Sequence, residues 1–236
     1  MDGLVLWNRC SRTATAENDE IITGSAFTPS GVVQFVDGGR FEGAYNAELS
    51  TTDRYYAIPE SIIAKNSFTF SFWLKRILAY GTESNNRIAT GYNSSNGDYC
   101  GITARVSTNN DLQWNFTTSG GQLVYRKQYG DLTTQEAQCF PINQWHHVAF
   151  VKDNGDTFLY VNGVSQDKDV TIFSGDVSGL SGNLDLDNNF FFGQRHSSPQ
   201  STERWIGYLC NCKIYNKAIH TFEGRYIEGF GYAKRR

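Results

Sequence analysis

Ser67-Phe68-Thr69-Phe70-Ser71-Phe72-Trp73-Leu74-Lys75 is the stretch on which the fold turns. Its phenylalanines occupy every second position with Ser or Thr between them, the period with which a strand turns one face to a core. Trp73 and Leu74 break the alternation, which predicts a central strand covered on both sides near its end, or a bulge. Outward from it, strands are expected at 87–91, 99–106, 112–117, 122–125, 146–152, 157–161, 190–193 and 205–215, and two more at 4–7 and 32–36. Asn154-Gly155-Asp156 and Asn162-Gly163 read as tight hairpin corners, the first because Gly155 can take positive φ without a Cβ clash. The strands therefore form a meander that pairs locally.

Composition agrees. The chain has 236 residues, 14% of them aromatic and only 19% charged, with 23 glycines and a single methionine, the usage of short twisted strands joined by turns. The length suits one β-sandwich domain over residues 1–236, and no Pro-rich or Gly/Ser-rich linker divides it. Each of the four prolines is expected beside a strand boundary and not inside a strand. The segments 92–98, 171–187 and 196–203 are expected as loops at the sheet ends, where recognition surfaces usually lie. Ile219, Phe222, Tyr226 and Ile227 have helical spacing, so a helical turn or two is expected within 216–230.

A net charge of -3 without long runs offers no footprint for phosphate backbones, so nucleic acid is not an expected partner. No segment has the apolar length of a spanning helix, and the start lacks the basic flank and apolar core of a secretory signal. The expectation is a protein made in the cytoplasm, without transmembrane insertion. Five cysteines are too few and too scattered for a disulfide scaffold. Cys210 and Cys212 are expected to share a strand face, at a Cα separation unfavourable for a mutual disulfide. Trp145 is expected as a core plug, and the neighbours His146 and His147 as pointing to opposite faces, unable to chelate one ion together.

Several segments resemble the concanavalin A-like lectin/glucanase superfamily, more closely its laminin G-like, pentraxin-like jelly-roll branch. They are Gly3-Leu4-Val5-Leu6-Trp7, Tyr55-Tyr56-Ala57-Ile58-Pro59, Ser67 to Lys75, Gln144-Trp145-His146-His147-Val148-Ala149-Phe150 with Phe158-Leu159-Tyr160-Val161-Asn162-Gly163, and Trp205 to Ile219. The resemblance implies an all-β, two-sheet antiparallel jelly-roll sandwich with a short helical turn near the C-terminus. It also implies that the chain ends pair as adjacent strands, which would bring Cys10 toward Cys210 and Cys212. Where relatives tend to have Asp-Glu before the last strand's aliphatic-basic-Ile-Tyr-Asn run, this chain has Cys210-Asn211-Cys212.

Hydrolases that resemble this family carry Glu-x-Asp-x-x-Glu, a pair of carboxyl groups on one strand face, and no such string occurs here. Asp167/Asp169 and Asp185/Asp187 have the spacing without the strand pattern, and no Ser, His, Asp arrangement or phosphate loop stands out. Glycoside hydrolysis is therefore the reading least favoured, and no catalytic residues are named. Calcium is the candidate cofactor, through Asp98, Asp176, Asp185 and Asp187 in oxygen-rich loops that family members place at one end of the sandwich.

Two function classes remain. The first is a non-enzymatic structural or assembly module of a virion or other extracellular assembly, such as a receptor-binding appendage or decoration protein, with homo-oligomers or other subunits as partners. The second is a carbohydrate-binding, lectin-like module using aromatic faces against sugar C–H patches. Its ligand-binding candidates are Tyr92, Tyr99, Trp114, Arg195, His196 and Trp205, with sandwich core as the alternative role of Trp114 and Trp205.

Overall fold

A computed structural model of the chain describes residues 3–8, 28–30, 34–36, 44–46, 55–58, 67–76, 85–92, 99–105, 111–118, 122–129, 143–166, 170–175, 190–192 and 207–220. These residues form sixteen strands. In chain order they are β1 (Leu4–Asn8), β2 (Thr28–Ser30), β3 (Gln34–Val36), β4 (Ala44–Asn46), β5 (Tyr55–Ile58), β6 (Ser67–Arg76), β7 (Asn85–Tyr92) and β8 (Tyr99–Arg105). There follow β9 (Asp111–Thr118), β10 (Gln122–Tyr129), β11 (Trp145–Asp153), β12 (Asp156–Val161), β13 (Val164–Ser165), β14 (Val170–Gly175), β15 (Phe190–Phe192) and β16 (Gly207–Tyr215).

Two antiparallel sheets result. The first runs β13-β12-β11-β6-β16-β4-β3, with β1 also on β16, and the second runs β14-β10-β9-β8-β7-β15-β5-β2. The meander is real in the second sheet, where β7 to β10 pair in sequence. In the first sheet the pairing is long-range: β6 lies between β11 and β16, and β1 pairs with β16.

Phe68, Phe70, Phe72 and Leu74 point inward from β6, and Val148 and Phe150 join them from β11, all at most 1% exposed. Trp114 and Phe116, both fully buried, come from β9 of the opposite sheet. Trp114 bridges the layers: its ring centroid is 5.9 Å from Phe68 and 5.6 Å from Phe150, edge-on to the latter at 84°. Each such ring contributes about 1.5–3 kcal/mol by leaving water. Among them sits Lys152, 1% exposed, with its Nζ 6.0 Å from the Phe68 ring centre.

The other face of β6 is buried too, as the break at Trp73 predicts. Thr69, Ser71 and Trp73 are at most 3% exposed. Part of the cover is residues 216–220, which form a strap across this outer face. Thr69 Oγ1 donates to the Lys217 carbonyl at 2.8 Å and accepts from the Ile219 N–H at 3.0 Å. Ala218 packs with Phe158 against Ala149, Val151 and Tyr160. This described beginning of the expected helix is not helical, and 221–230 lies outside the described residues.

Five further expectations need correction. Trp145 is half-buried on the outer face, because it has the parity of His147 and not that of the core-facing Val148. The loop expected at 171–187 begins instead as β14, paired with β10. Pro29 lies inside β2, which is tolerable because β2 is an edge strand and the missing N–H costs it no neighbour there. The left-handed residue of the first hairpin is Asn154 (φ 50°), one before the expected Gly155. Finally, Asn211 (φ 51°) makes a bulge in β16, so Cys210 pairs opposite Trp73 while Lys213 pairs opposite Ser71. That extra residue turns Cys210 outward and Cys212 inward, and the two are not joined in a disulfide.

Candidate functional site

The Gln-Trp-His-His and Val-Asn-Gly segments build one local device. Asn162 (φ 52°) and Gly163 (φ 81°) form the two-residue turn between β12 and β13, with the double positive φ of a type I′ corner. Asn tolerates this conformation and uses its side chain to clasp β11. Its Oδ1 accepts from the His147 N–H at 3.0 Å, and its Nδ2 lies 3.2 Å from His146 Nδ1. His146 faces the core opposite Leu74, and His147 faces outward opposite Trp73.

His147 is 2% exposed, shares a 2.8 Å hydrogen bond through Nε2 with Ser71 Oγ, and meets the Trp73 ring edge-on. Burial, and secondarily the charge of Lys213, pull its pKa down from 6.5 to about 4. The neutral imidazole is a packing element. Cys100 is similarly inert: burial pushes its thiol up to about 12, against smaller opposing pulls from the Trp114 indole N–H and the charge of Lys152.

At one corner His220 closes the strap. Its Nε2–H donates to Asp153 Oδ2 at 2.9 Å, and its Nδ1 lies 3.1 Å from the Tyr160 hydroxyl. Ser67 and Asn154 donate to Asp153 Oδ1. This is a Tyr–His–Asp chain in which Ser67 bonds the carboxylate and not the imidazole, so it does not have the arrangement of a serine nucleophile beside its base.

The opposite end of the outer face is built differently. Register places Trp145, Lys75 and Tyr208 side by side on β11, β6 and β16. All three are half-buried on a face otherwise closed between its ends. The two rings are 6.2 Å apart at 44°, and Lys75 Nζ lies 5.5 Å from the Tyr208 ring centre. Asn46 on β4 and Gln34 on β3 hold the next two register positions. An aromatic pair with a cation among it can stack on the C–H face of a ring ligand and pair with its polar groups.

The candidates named from sequence lie elsewhere. Tyr92 ends β7 and Tyr99 begins β8, and they are register partners across the 93–98 connection. Trp114 is fully buried, in the core role and not a ligand-facing one, because it bridges the two sheets. Arg195, His196 and Trp205 lie outside the described residues, as do Asp98, Asp176, Asp185 and Asp187 with the calcium expectation. Among the described residues no three His, Cys, Asp or Glu side chains gather as a metal site, and no helix is long and apolar enough to cross a membrane. Sequence reasoning missed Trp145, Lys75 and Tyr208. All three stand in stretches it had singled out, but only register brings them together.

Comparison with known proteins fits this architecture. Domain 4 of an extracellular GH43 arabinanase from Geobacillus stearothermophilus, solved with arabinotriose, superposes with TM-score 0.58 at 19% identity, covering 92% of this chain and 93% of that one. The binding domain of botulinum neurotoxin DC, solved with rat synaptotagmin II, gives TM-score 0.60 at 16% identity, and that of serotype D gives 0.61 at 14%. In both cases 92% of this chain is covered and 49% of the other, so the chain spans about half of these neurotoxin domains. No curated protein matches the chain in sequence. The family model of the concanavalin A-like lectin/glucanases superfamily of laminin G type matches residues 50–223. With most of its length inside that match and its two sheets arranged accordingly, the chain belongs to the concanavalin A-like lectin/glucanases superfamily.

Proposed function

We propose that the protein is a non-enzymatic recognition module that binds carbohydrate or a surface receptor outside the cell. The observation that carries this reading is the Trp145–Lys75–Tyr208 row, three side chains of stacking and pairing type left half-open at one end of the outer face. Similar folds solved with arabinotriose and with synaptotagmin support it. They favour binding over the virion or assembly-subunit reading, for which no described residue speaks.

A glycan array probed with the purified chain, with and without calcium, tests the proposal. Saturable binding that free sugar competes away is the expected result. Failure to bind any glycan or cell surface, together with symmetric contacts burying more than about 1,000 Å² between copies, would return the assembly reading to first place.

A further inference from the structure

We infer that the Trp145–Lys75–Tyr208 row is a subsite for a sugar ring bearing a carboxylate, such as a uronate or sialic acid residue. The inference rests on the recognition reading above and gives it a place and a ligand class.

The first argument is geometric. Strands β11 and β16 flank β6, so their backbones stand about 9.5 Å apart. Ring centroids at 6.2 Å therefore mean that Trp145 and Tyr208 lean toward one another across Lys75. Together they form one aromatic surface over the middle strand. Core packing does not explain it, because the row lies outside the inter-sheet layer and remains half-open.

The second argument is electrostatic. Lys75 is held at the Tyr208 ring and makes no ion pair with any described residue. The described acids of this face, Asp153 and Asp156, sit at the far end of the β11–β12 hairpin. Eight residues of strand from Trp145 to Asp153 put that end about 27 Å away, well beyond a Debye length at physiological salt. A ring–ammonium contact at an exposed site is weaker than a charge-assisted hydrogen bond. An incoming carboxylate would thus recruit the ammonium while its ring stacks on the indole.

The test titrates the full chain by calorimetry with trigalacturonate and 3′-sialyllactose, against maltotriose and lactose as neutral counterparts. At least one acidic probe is expected to bind more tightly than its neutral counterpart. Lys75→Met is expected to weaken that binding by about tenfold or more and to flatten its salt dependence. Trp145→Ala is expected to lose a similar factor, and Trp145→Phe, which keeps a stacking face and guards against misfolding of the Ala variant, to retain most of it. Val164→Ser, at an exposed position on the same sheet, serves as control. Binding untouched by Lys75→Met and Trp145→Phe/Ala alike overturns the subsite and leaves the recognition module standing. Neutral sugars bound through Trp145 with Lys75 indifferent overturn the acidic class. Absence of binding to all four probes and to the wider array overturns both readings.

Discussion

Between its ends, β6 is hidden from water on both faces, and the two faces are differently held. Inward, Phe70, Phe72, Val148 and Phe150 meet Trp114 and Phe116 from the other sheet in a layer that is mostly aromatic. Outward, Thr69, Ser71 and His147 are just as inaccessible, yet they hold their neighbours by named hydrogen bonds to Lys217, Ile219 and each other. Burial alone therefore does not reveal what secures a side chain. The inner layer depends on shape and apolar area, and the outer one on proton positions and on a strap of a few residues.

The largest expected effect lies on the inner face. Trp114→Ala should lower unfolding free energy by about 3–5 kcal/mol in urea titration, through lost transfer energy and the cavity left between the sheets. A loss under about 1 kcal/mol would show that the layers do not meet through this ring. Next comes acid sensitivity of the outer face. His147 titrates near 4 when folded and near 6.5 when unfolded, so its contribution is complete above pH 6.5 and is lost as pH falls toward 4. The urea midpoint should drop across that window by the equivalent of about 3 kcal/mol at most, and His147→Gln should flatten the drop. Identical pH profiles for wild type and variant would break the distinction between the faces.

Smaller effects sharpen it. Thr69→Val keeps the volume but removes both hydrogen bonds to the strap, and should cost about 1–2 kcal/mol, with faster amide exchange confined to 216–220. His220→Ala should cost less than about 1 kcal/mol, because its contact with Asp153 is more than a third exposed on both sides. An effect of His220→Ala larger than that of Thr69→Val would mean that the strap is fastened at its tip.

Much of the inner face could be read from the chain. The Phe68, Phe70, Phe72 alternation states its own period, and the break at Trp73 correctly implied cover on both sides. Trp145 shows where such reading stops. Like Trp73 it is a tryptophan in a strand, but whether it joins the core depends on its parity relative to Val148 and on what lies across the strand. Neither is written locally. Likewise Asn211 carries no sequence mark of a bulge, so Cys210 and Cys212 looked like neighbours on one face. The candidate binding row was least legible, since it joins positions 75, 145 and 208 through strand register alone. Of the residues named in advance, Trp114 proved to be core, and Tyr92 with Tyr99 are a cross-strand pair whose role is open to the same sugar titrations.

The position of β16 also bears on how the molecule comes to exist. It fills the slot beside β6, meeting β4 and β1 on its other side, although Thr69 and Lys217 are 148 residues apart in the chain. During synthesis β6 must wait for this late segment with one row of backbone donors and acceptors bare. Nascent chains are then open to mispairing with one another, and folding should be slow, as expected where contacts span such distances.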